Sequence, residues 1–301
     1  MLDSRLRALP YLALVLNALV WGLSWWPLRE LQTAGLHPLW SSAATYLLGS
    51  VAIVLFRPTV FREFLAHPAL WWLALAAGTT MVGFNWGVSI AEVIRVVLLF
   101  YLMPIWAVLL ARLVLGEPIT LGAMLRVLMA FVGALLVLSP PGTLSLALPS
   151  NLGEWLGLLG GVAFALNNIL LRHQEARTAQ ARLFAMFVGG VLAPAAVAAV
   201  LAWVLGAGNA VVQWPVVPGV YGWGVLMLFA VSLLLANYGL QYGASRLPAN
   251  VTAVVMLSEV VFATVSAIVL GSEVLTLQTA VGGSMILMAA ALSAWSNPDP
   301  H

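Results

Sequence analysis

Long apolar runs alternate with short polar punctuation along the whole chain. The runs fall at about Leu9–Leu31, Leu39–Phe56, Leu70–Ile90, Val93–Leu115, Thr120–Leu138, Leu152–Leu171, Leu183–Leu205, Gly219–Tyr242, Ala249–Leu270 and Leu277–Trp295. Each is close to the ~20 helical residues that cross ~30 Å of hydrocarbon. Turn-forming pairs separate them: His37-Pro38, Arg57-Pro58, His67-Pro68, Glu117-Pro118 and Pro140-Pro141-Gly142. The longest polar break, Ser139–Asn151, divides the chain into residues 1–142 and 143–301, with five runs in each. The pattern predicts an all-α polytopic membrane protein of ten transmembrane helices.

Two of the runs match each other. Arg95–Glu117 (RVVLLFYLMPIWAVLLARLVLGE) and Val251–Glu273 (VTAVVMLSEVVFATVSAIVLGSE) align at one offset, with Ala107 on Ala263, Ala111 on Ala267 and Glu117 on Glu273. Elsewhere Val20–Arg29 aligns with Ala163–Arg172, and Asn85-Trp86-Gly87 resembles Asn237-Tyr238-Gly239. Five runs per copy is an odd number, so the second copy enters the membrane upside down. The expected architecture is therefore two inverted five-helix repeats around a central cavity, the plan on which many secondary transporters place their substrate.

Composition agrees with the membrane reading. The chain is 63% hydrophobic and 7% charged, too apolar to cover a soluble core. Residues Leu6–Leu31 are too long for the apolar part of a cleavable leader, and no small-residue cleavage site follows them. There is no Cys, which closes disulfide and thiol chemistry. All 12 basic residues are Arg, so neither a P-loop Lys nor a Schiff-base Lys is present. Arg5, Arg7, Arg57, Arg62, Arg112, Arg126, Arg172, Arg177, Arg182 and Arg246 fall on the side of the N-terminus, and only Arg29 and Arg95 on the other. That bias predicts cytoplasmic termini, and it explains the basic balance without nucleic acid.

Candidate chemistry is sparse. Glu259 is the one carboxyl group expected deep in a span, where ionisable residues are costly and mark coupling or substrate sites. Pro104 stands near the middle of its run and removes a backbone donor, which frees the Phe100 carbonyl. Asn17, Trp21 and Ser24 share one helix face, as do Asn85 and Ser89; Asn167, Asn168, Asn237 and Gln241 add amides in the second half. Trp86, Tyr101, Trp106 and Tyr238 lie within spans and suit stacking on a planar solute. Each Asn or Ser also fits hydrogen bonding between helices, and each ring fits packing or lipid contact. Trp40, Trp71, Trp72, Trp155, Trp214 and Trp295 sit at span ends, as an interfacial belt does. Gly157, Gly160 and Gly161, and Gly282 with Gly283, form small-residue faces for close helix approach.

The two five-span copies, Trp21-Gly22 in the first run and Pro104 followed by Gly116-Glu117 resemble the drug/metabolite transporter superfamily in its ten-span form. Within it the chain looks most like bacterial exporters of aromatic amino acids. The resemblance implies a basket of helices with the fifth and tenth spans outside it. The second copy departs from the pattern: Val260 stands where the first has Pro104, so proline gives no reason to expect a matching kink there.

The expected function is a secondary transporter of the bacterial inner membrane, exporting small amphipathic metabolites such as aromatic and other neutral amino acids. The expected site is Asn17, Trp21, Ser24, Asn85, Trp86, Ser89, Tyr101, Pro104, Asn167, Asn168, Asn237, Tyr238 and Gln241 for substrate, with Glu259 for coupling. An exchanger of phosphorylated or nucleotide sugars, which would need cations inside the cavity, and a lipid flippase are the alternatives. Expected partners are a small-molecule substrate and membrane lipid, with a monomer as the unit, no nucleic acid, no cofactor and no metal. An enzyme is not expected. His37, His67, His173 and His301 fall in loops or at the terminus, so they supply neither a nucleophile's base nor a zinc motif within the membrane.

Overall fold

The computed structural model describes residues 2–110, 112–113, 120–140, 148–174, 177–206, 212–247 and 249–296, of which 2–7, Pro104, Ala107, Arg172, His173, 249–250, 253 and 293–296 by backbone alone. Glu117 and His301, and the side chains of Pro104, Arg172 and Trp295, lie outside the described residues. All regular structure among the described residues is helical: α1 (Leu2–Gly22), α2 (Trp25–Thr33), α3 (Pro38–Phe56), α4 (Thr59–Ala66), α5 (Ala69–Ile90), α6 (Val93–Phe100), α7 (Met103–Leu110), α8 (Leu121–Leu138), α9 (Leu152–His173), α10 (Ala179–Leu205), α11 (Val220–Ala244), α12 (Ala249–Met256), α13 (Ser258–Gly271) and α14 (Leu277–Ser296).

Among the described residues, eight segments are long and apolar enough to cross a membrane: Ala8–Thr33, Pro38–Phe56, Ala69–Ile90, Leu121–Leu138, Leu152–Leu171, Ala179–Leu205, Val220–Ala244 and Val254–Gly271. The chain is a multi-pass membrane protein. Two of the ten expected spans are not among the eight. The run from Val93 divides into α6 and α7, and the apolar part of the last helix, Leu277–Leu292, is shorter. One helix was not visible in the apolar pattern. α4 is short and amphipathic, and it buries Val60 and Phe64 while its Arg62 stays in water. Phe64 closes on Trp71 at 4.5 Å between ring centres.

Local signals set the helix ends. Pro38 begins α3 behind His37, whose Nδ1 accepts the Leu39 N–H at 3.2 Å. Thr120 and Thr178 cap α8 and α10 by accepting the N–H of Ala123 and Ala181, each at 3.2 Å.

Among the described residues, three helical runs are interrupted. α1 gives way to α2 at Leu23-Ser24, α6 to α7 at Tyr101-Leu102, and α12 to α13 at Leu257. Pro104 does not sit inside a bent helix. It falls in the first turn of α7, where a missing N–H costs no helical bond. The second matching run breaks as well, although Val260 replaces the proline. At the shared offset Tyr101 aligns with Leu257, so the two breaks occupy one register position. At Leu257 the chain tightens without proline: its N–H bonds the carbonyl of Val254 at 3.2 Å, and the Ser258 hydroxyl donates back to Val255 O at 2.7 Å.

The principal packing partners join the first part of the chain to the second. α5 packs on α9 and α10, α1 on α11 and α13, α3 on α10, α6 on α9, and α8 on α14. α5 is the most enclosed of the eight membrane-length segments. It meets α9 where Gly83 faces Gly160; a Cβ on Gly83 would lie 2.6 Å from the Gly160 nitrogen, so only glycine allows this approach. α8 and α14 pack mainly on each other, and α8 leaves Leu121, Leu125, Leu128 and Phe131 exposed.

Candidate functional site

The three interruptions converge on Glu259. The residue lies in the first turn of α13, directly after the break, and is 7% exposed. A helix N-terminus is a favourable place for a carboxylate. The Tyr101 hydroxyl, at the α6–α7 break, donates to Glu259 Oε2 at 3.1 Å and lies 3.5 Å from the Met256 carbonyl at the end of α12. Tyr101 is itself 4% exposed. The α1–α2 break closes the third side. A Cβ on Gly22 would stand 2.7 Å from the Glu259 carbonyl oxygen and 2.9 Å from the Ala263 nitrogen, so α1 and α13 touch through backbone here.

Aromatic rings run outward from this junction. Tyr101 meets Phe100 at 5.8 Å, Phe100 meets Phe84 at 4.9 Å and Phe164 at 5.3 Å, and Phe84 meets Trp21 at 6.2 Å. The chain of rings draws on α1, α5, α6 and α9, with mostly edge-to-face or tilted contacts. Trp86 is buried but belongs elsewhere: its neighbour is His37 at 5.5 Å. Burial pushes the His37 imidazole down to about 4, which keeps it neutral and leaves Nδ1 free to accept the Leu39 N–H.

The buried amides are half satisfied. Asn17 donates to Ala236 O at 2.8 Å across α1 and α11, and Asn85 donates to Ser42 Oγ at 3.0 Å across α5 and α3. The side-chain oxygens of Asn17, Asn85 and Asn167 are buried and have no donor among the described residues. Thr45 Oγ1 and Ser50 Oγ on α3 are in the same condition. Interior polar atoms are nearly always paired, and these amide oxygens and hydroxyls are exceptions among the described residues.

Other predicted residues have local roles or different surroundings. The Ser24 hydroxyl donates to Trp21 O at 2.7 Å, Ser89 to Asn85 O at 2.6 Å, and Asn237 to Leu233 O at 2.8 Å. Asn168 is exposed, Tyr238 is 40% exposed, and Gln241 is half-buried on the same helix. Trp106 is half-buried, and its Nε1–H has no acceptor among the described residues. A groove of about 540 Å³ lies not at the centre but between α1–α2 and α11, lined by Leu23, Trp26, Tyr221, Leu228, Phe229 and Ser232 among others. None of the predicted site residues lines it.

The end of the bundle that holds Arg29 and Arg95 is organised differently. Glu273 receives the Val93 N–H at 2.8 Å and the Ile94 N–H at 3.1 Å, and so caps α6 from far along the chain. Arg29 stands 3.7 Å from the same carboxylate and donates to Val88 O and Ala91 O. Arg95 bonds Glu154 at 2.8 Å and the carbonyls of Val137 and Leu138. Glu154, 1% exposed, also accepts the Ser150 N–H at 2.7 Å, while its own N–H reaches Asn151 Oδ1. α6 therefore has a second-half carboxylate at each end, Glu273 at its start and Glu259 through Tyr101 at its finish.

Phe84, Phe100, Phe164, Glu273 and Glu154 were absent from the sequence-based site. The first two are each one position from a predicted residue, Asn85 and Tyr101, and Glu273 was visible as half of the repeated Gly-containing, acidic run end.

Residues 8–139 match the EamA-like transporter family, a stretch that runs from α1 through α8. That match supports the drug/metabolite transporter resemblance and with it a membrane transporter of small molecules. No curated protein matches the chain. Fifteen chains of solved structures do. One of them, described only as the crystal structure of a protein, aligns over 94% of this chain and 95% of its own, with a TM-score of 0.57 and 17% identity. The likeness is one of fold, and at 94% of the chain it reaches well beyond the part that the family match covers.

Proposed function

We propose that the protein is a secondary transporter of the bacterial inner membrane that exports small amphipathic metabolites, with aromatic and other neutral amino acids as its first candidate substrates. The observation that carries this reading is the Tyr101–Glu259 pair at the meeting point of three interrupted helices. Interrupted helices around a polar centre are the usual construction of a transporter site. Trp21, Phe84, Phe100 and Phe164 suit the aromatic part of the solute, and Glu259 suits its ammonium group or a coupling proton.

Ten spans in two inverted halves are part of this proposal, and the packing supports them. Exchange α1 with α9, α3 with α10, α5 with α11, the α6–α7 pair with α12–α13, and α8 with α14. The α1–α11 contact then becomes α9–α5, the α1–α13 and α1–α12 contacts become α9–α7 and α9–α6, and α3–α10 and α8–α14 map onto themselves. Both interrupted runs share their break position, which is a further sign of the same relation. Alternating access would come from rocking one half against the other. An exchanger of phosphorylated sugars is less well supported, because Arg29 and Arg95 are both engaged by carboxylates.

The test is flux. Purified protein in liposomes is expected to accelerate counterflow of labelled phenylalanine or tryptophan over protein-free vesicles. Absence of flux for every aromatic or neutral amino acid would remove the reading.

A further inference from the structure

We infer that the central site selects for an ammonium group and against a carboxylate, so that aromatic amines without a carboxyl group bind more tightly than the corresponding amino acids. The inference rests on the transport reading above and narrows its substrate class. Four observations carry it. The first is Glu259 itself, a buried carboxyl group whose donor among the described residues is one neutral phenol. A buried carboxylate demands a cationic or hydrogen-bonding partner, and a substrate ammonium supplies both.

The second observation is a set of buried amide oxygens that have no donor among the described residues. Asn17 Oδ1 and Asn167 Oδ1 lie on α1 and α9, each about one helical turn from a ring of the aromatic chain, Trp21 and Phe164 respectively. Asn85 Oδ1 belongs to the residue next to Phe84. All three are acceptors that want N–H donors, and a substrate carboxylate would bring more acceptors. The third is the row of rings itself: Trp21, Phe84, Phe100 and Phe164 stand edge-to-face or tilted to one another and join Tyr101 through Phe100, and aromatic faces attract cations. The fourth is what faces the other way. Arg29 and Arg95, the cations nearest in sequence to the breaks at Ser24 and Tyr101, are committed to Glu273 and Glu154 and to backbone carbonyls. A substrate carboxylate near Glu259 would meet like charge without either arginine to offset it.

Three probes share a phenyl ring on a short aliphatic arm and differ in the charged groups it bears: phenethylamine an ammonium, phenylalanine an ammonium and a carboxylate, and 3-phenylpropanoate a carboxylate. Binding to the purified protein in detergent, measured by calorimetry, is expected to rank them in that order. The amine should lead the amino acid by about tenfold, because both carry the ammonium and only the amino acid brings a carboxylate up to Glu259. Glu259→Gln should erase the lead of the amine, and Tyr101→Phe, which keeps the ring and removes the phenol donor, should leave the ranking in place. Equal or tighter binding of 3-phenylpropanoate, an unchanged ranking in Glu259→Gln, or no binding of any probe would overturn the inference. Liposome flux separates this from the wider reading. Phenylalanine flux with no preference for the amine defeats the inference alone. The expected ranking without flux of any solute defeats the transporter reading and leaves the site's selectivity standing.

Discussion

Two regions of this molecule use the same polar chemistry to opposite ends. At the end that holds Arg29 and Arg95, each carboxylate has several donors: Glu273 takes two backbone N–H groups and faces Arg29, and Glu154 takes Arg95 and Ser150. At the centre, among the described residues, Glu259 has one phenol as donor, and the oxygens of Asn17, Asn85 and Asn167 have none. Both regions join the first part of the chain to the second, so cross-linking of the halves does not separate them. Saturation does. A saturated polar site is already at its best and holds the fold, whereas an unsaturated one stays costly until something arrives to complete it. Substitutions at the arginine-rich end should therefore move stability more than transport, and substitutions at the centre should do the reverse.

The largest effect is expected at Glu259. Glu259→Gln keeps the shape and an acceptor for the Tyr101 hydroxyl but removes the ionisable group. Charge-assisted bonds contribute roughly 1.5–3 kcal/mol, which corresponds to a loss of about ten- to a hundredfold in transport of ammonium-bearing solutes. Membrane insertion and thermal unfolding in detergent should stay near wild type. Unchanged flux with lowered stability would place Glu259 with the saturated group and break the comparison at its centre.

Next in size is the Arg95–Glu154 pair. Glu154 is 1% exposed and Arg95 about a fifth, so removing the arginine strands a buried carboxylate. Arg95→Ala is expected to cost about 2–3 kcal/mol of stability, below the range for fully buried pairs because Arg95 is partly in water. Arg95→Met with Glu154→Gln should be milder than Arg95→Ala alone, since neither charge is then left unpaired. A double variant that is worse than the single one would contradict this assignment.

Glu273 should follow. It replaces the missing acceptors at the start of α6, a position where loss of a cap costs about 1 kcal/mol. Glu273→Ala is expected to lower the unfolding temperature modestly, and Glu273→Gln, which keeps one acceptor, by less. A transport defect in Glu273→Gln as deep as that of Glu259→Gln would show that this end of α6 belongs to the working site.

What could be read from the sequence divides along similar physical lines. Apolar length is a local property, so most helices were legible as runs of the right size, and Pro38, Thr120 and Thr178 gave several of their ends. The breaks were less so. Pro104 pointed near the first, but Leu257 carries no such signal, and the break there depends on Ser258 turning back on its own backbone. Polar stripes led to Asn17, Asn85 and Asn167, yet could not tell Asn167 from its exposed neighbour Asn168, because adjacent helix positions differ by a rotation only the packing resolves. Phe84, Phe100 and Phe164 were hidden for the opposite reason: in a span rich in apolar residues, three more rings carry no contrast. Ion-pair partners such as Arg95 and Glu154 stand 59 positions apart, and nothing local links them.

The smallest effect concerns His37, which belongs to the saturated class without carrying charge. Its ring caps α3 through Nδ1 and meets Trp86 edge-on, and burial holds its pKa at about 4, below the usual value near 6.5. The sign follows from the proton count. Between those values the unfolded chain binds a proton that the folded chain does not, so stability is full above pH 6.5 and falls as pH drops toward 4. The ideal slope is about 1.4 kcal/mol per pH unit, and the partial exposure of the ring reduces it to something under 1 kcal/mol. Thermal unfolding of the wild type in detergent at pH 7, 6 and 5 should show that decline. His37→Asn keeps a side-chain acceptor near the Leu39 N–H and cannot take up a proton, so its unfolding temperature should be lower at pH 7 and flatter below it. An equal decline in wild type and His37→Asn would assign the acid sensitivity to other groups and leave His37 as a packing residue beside Trp86.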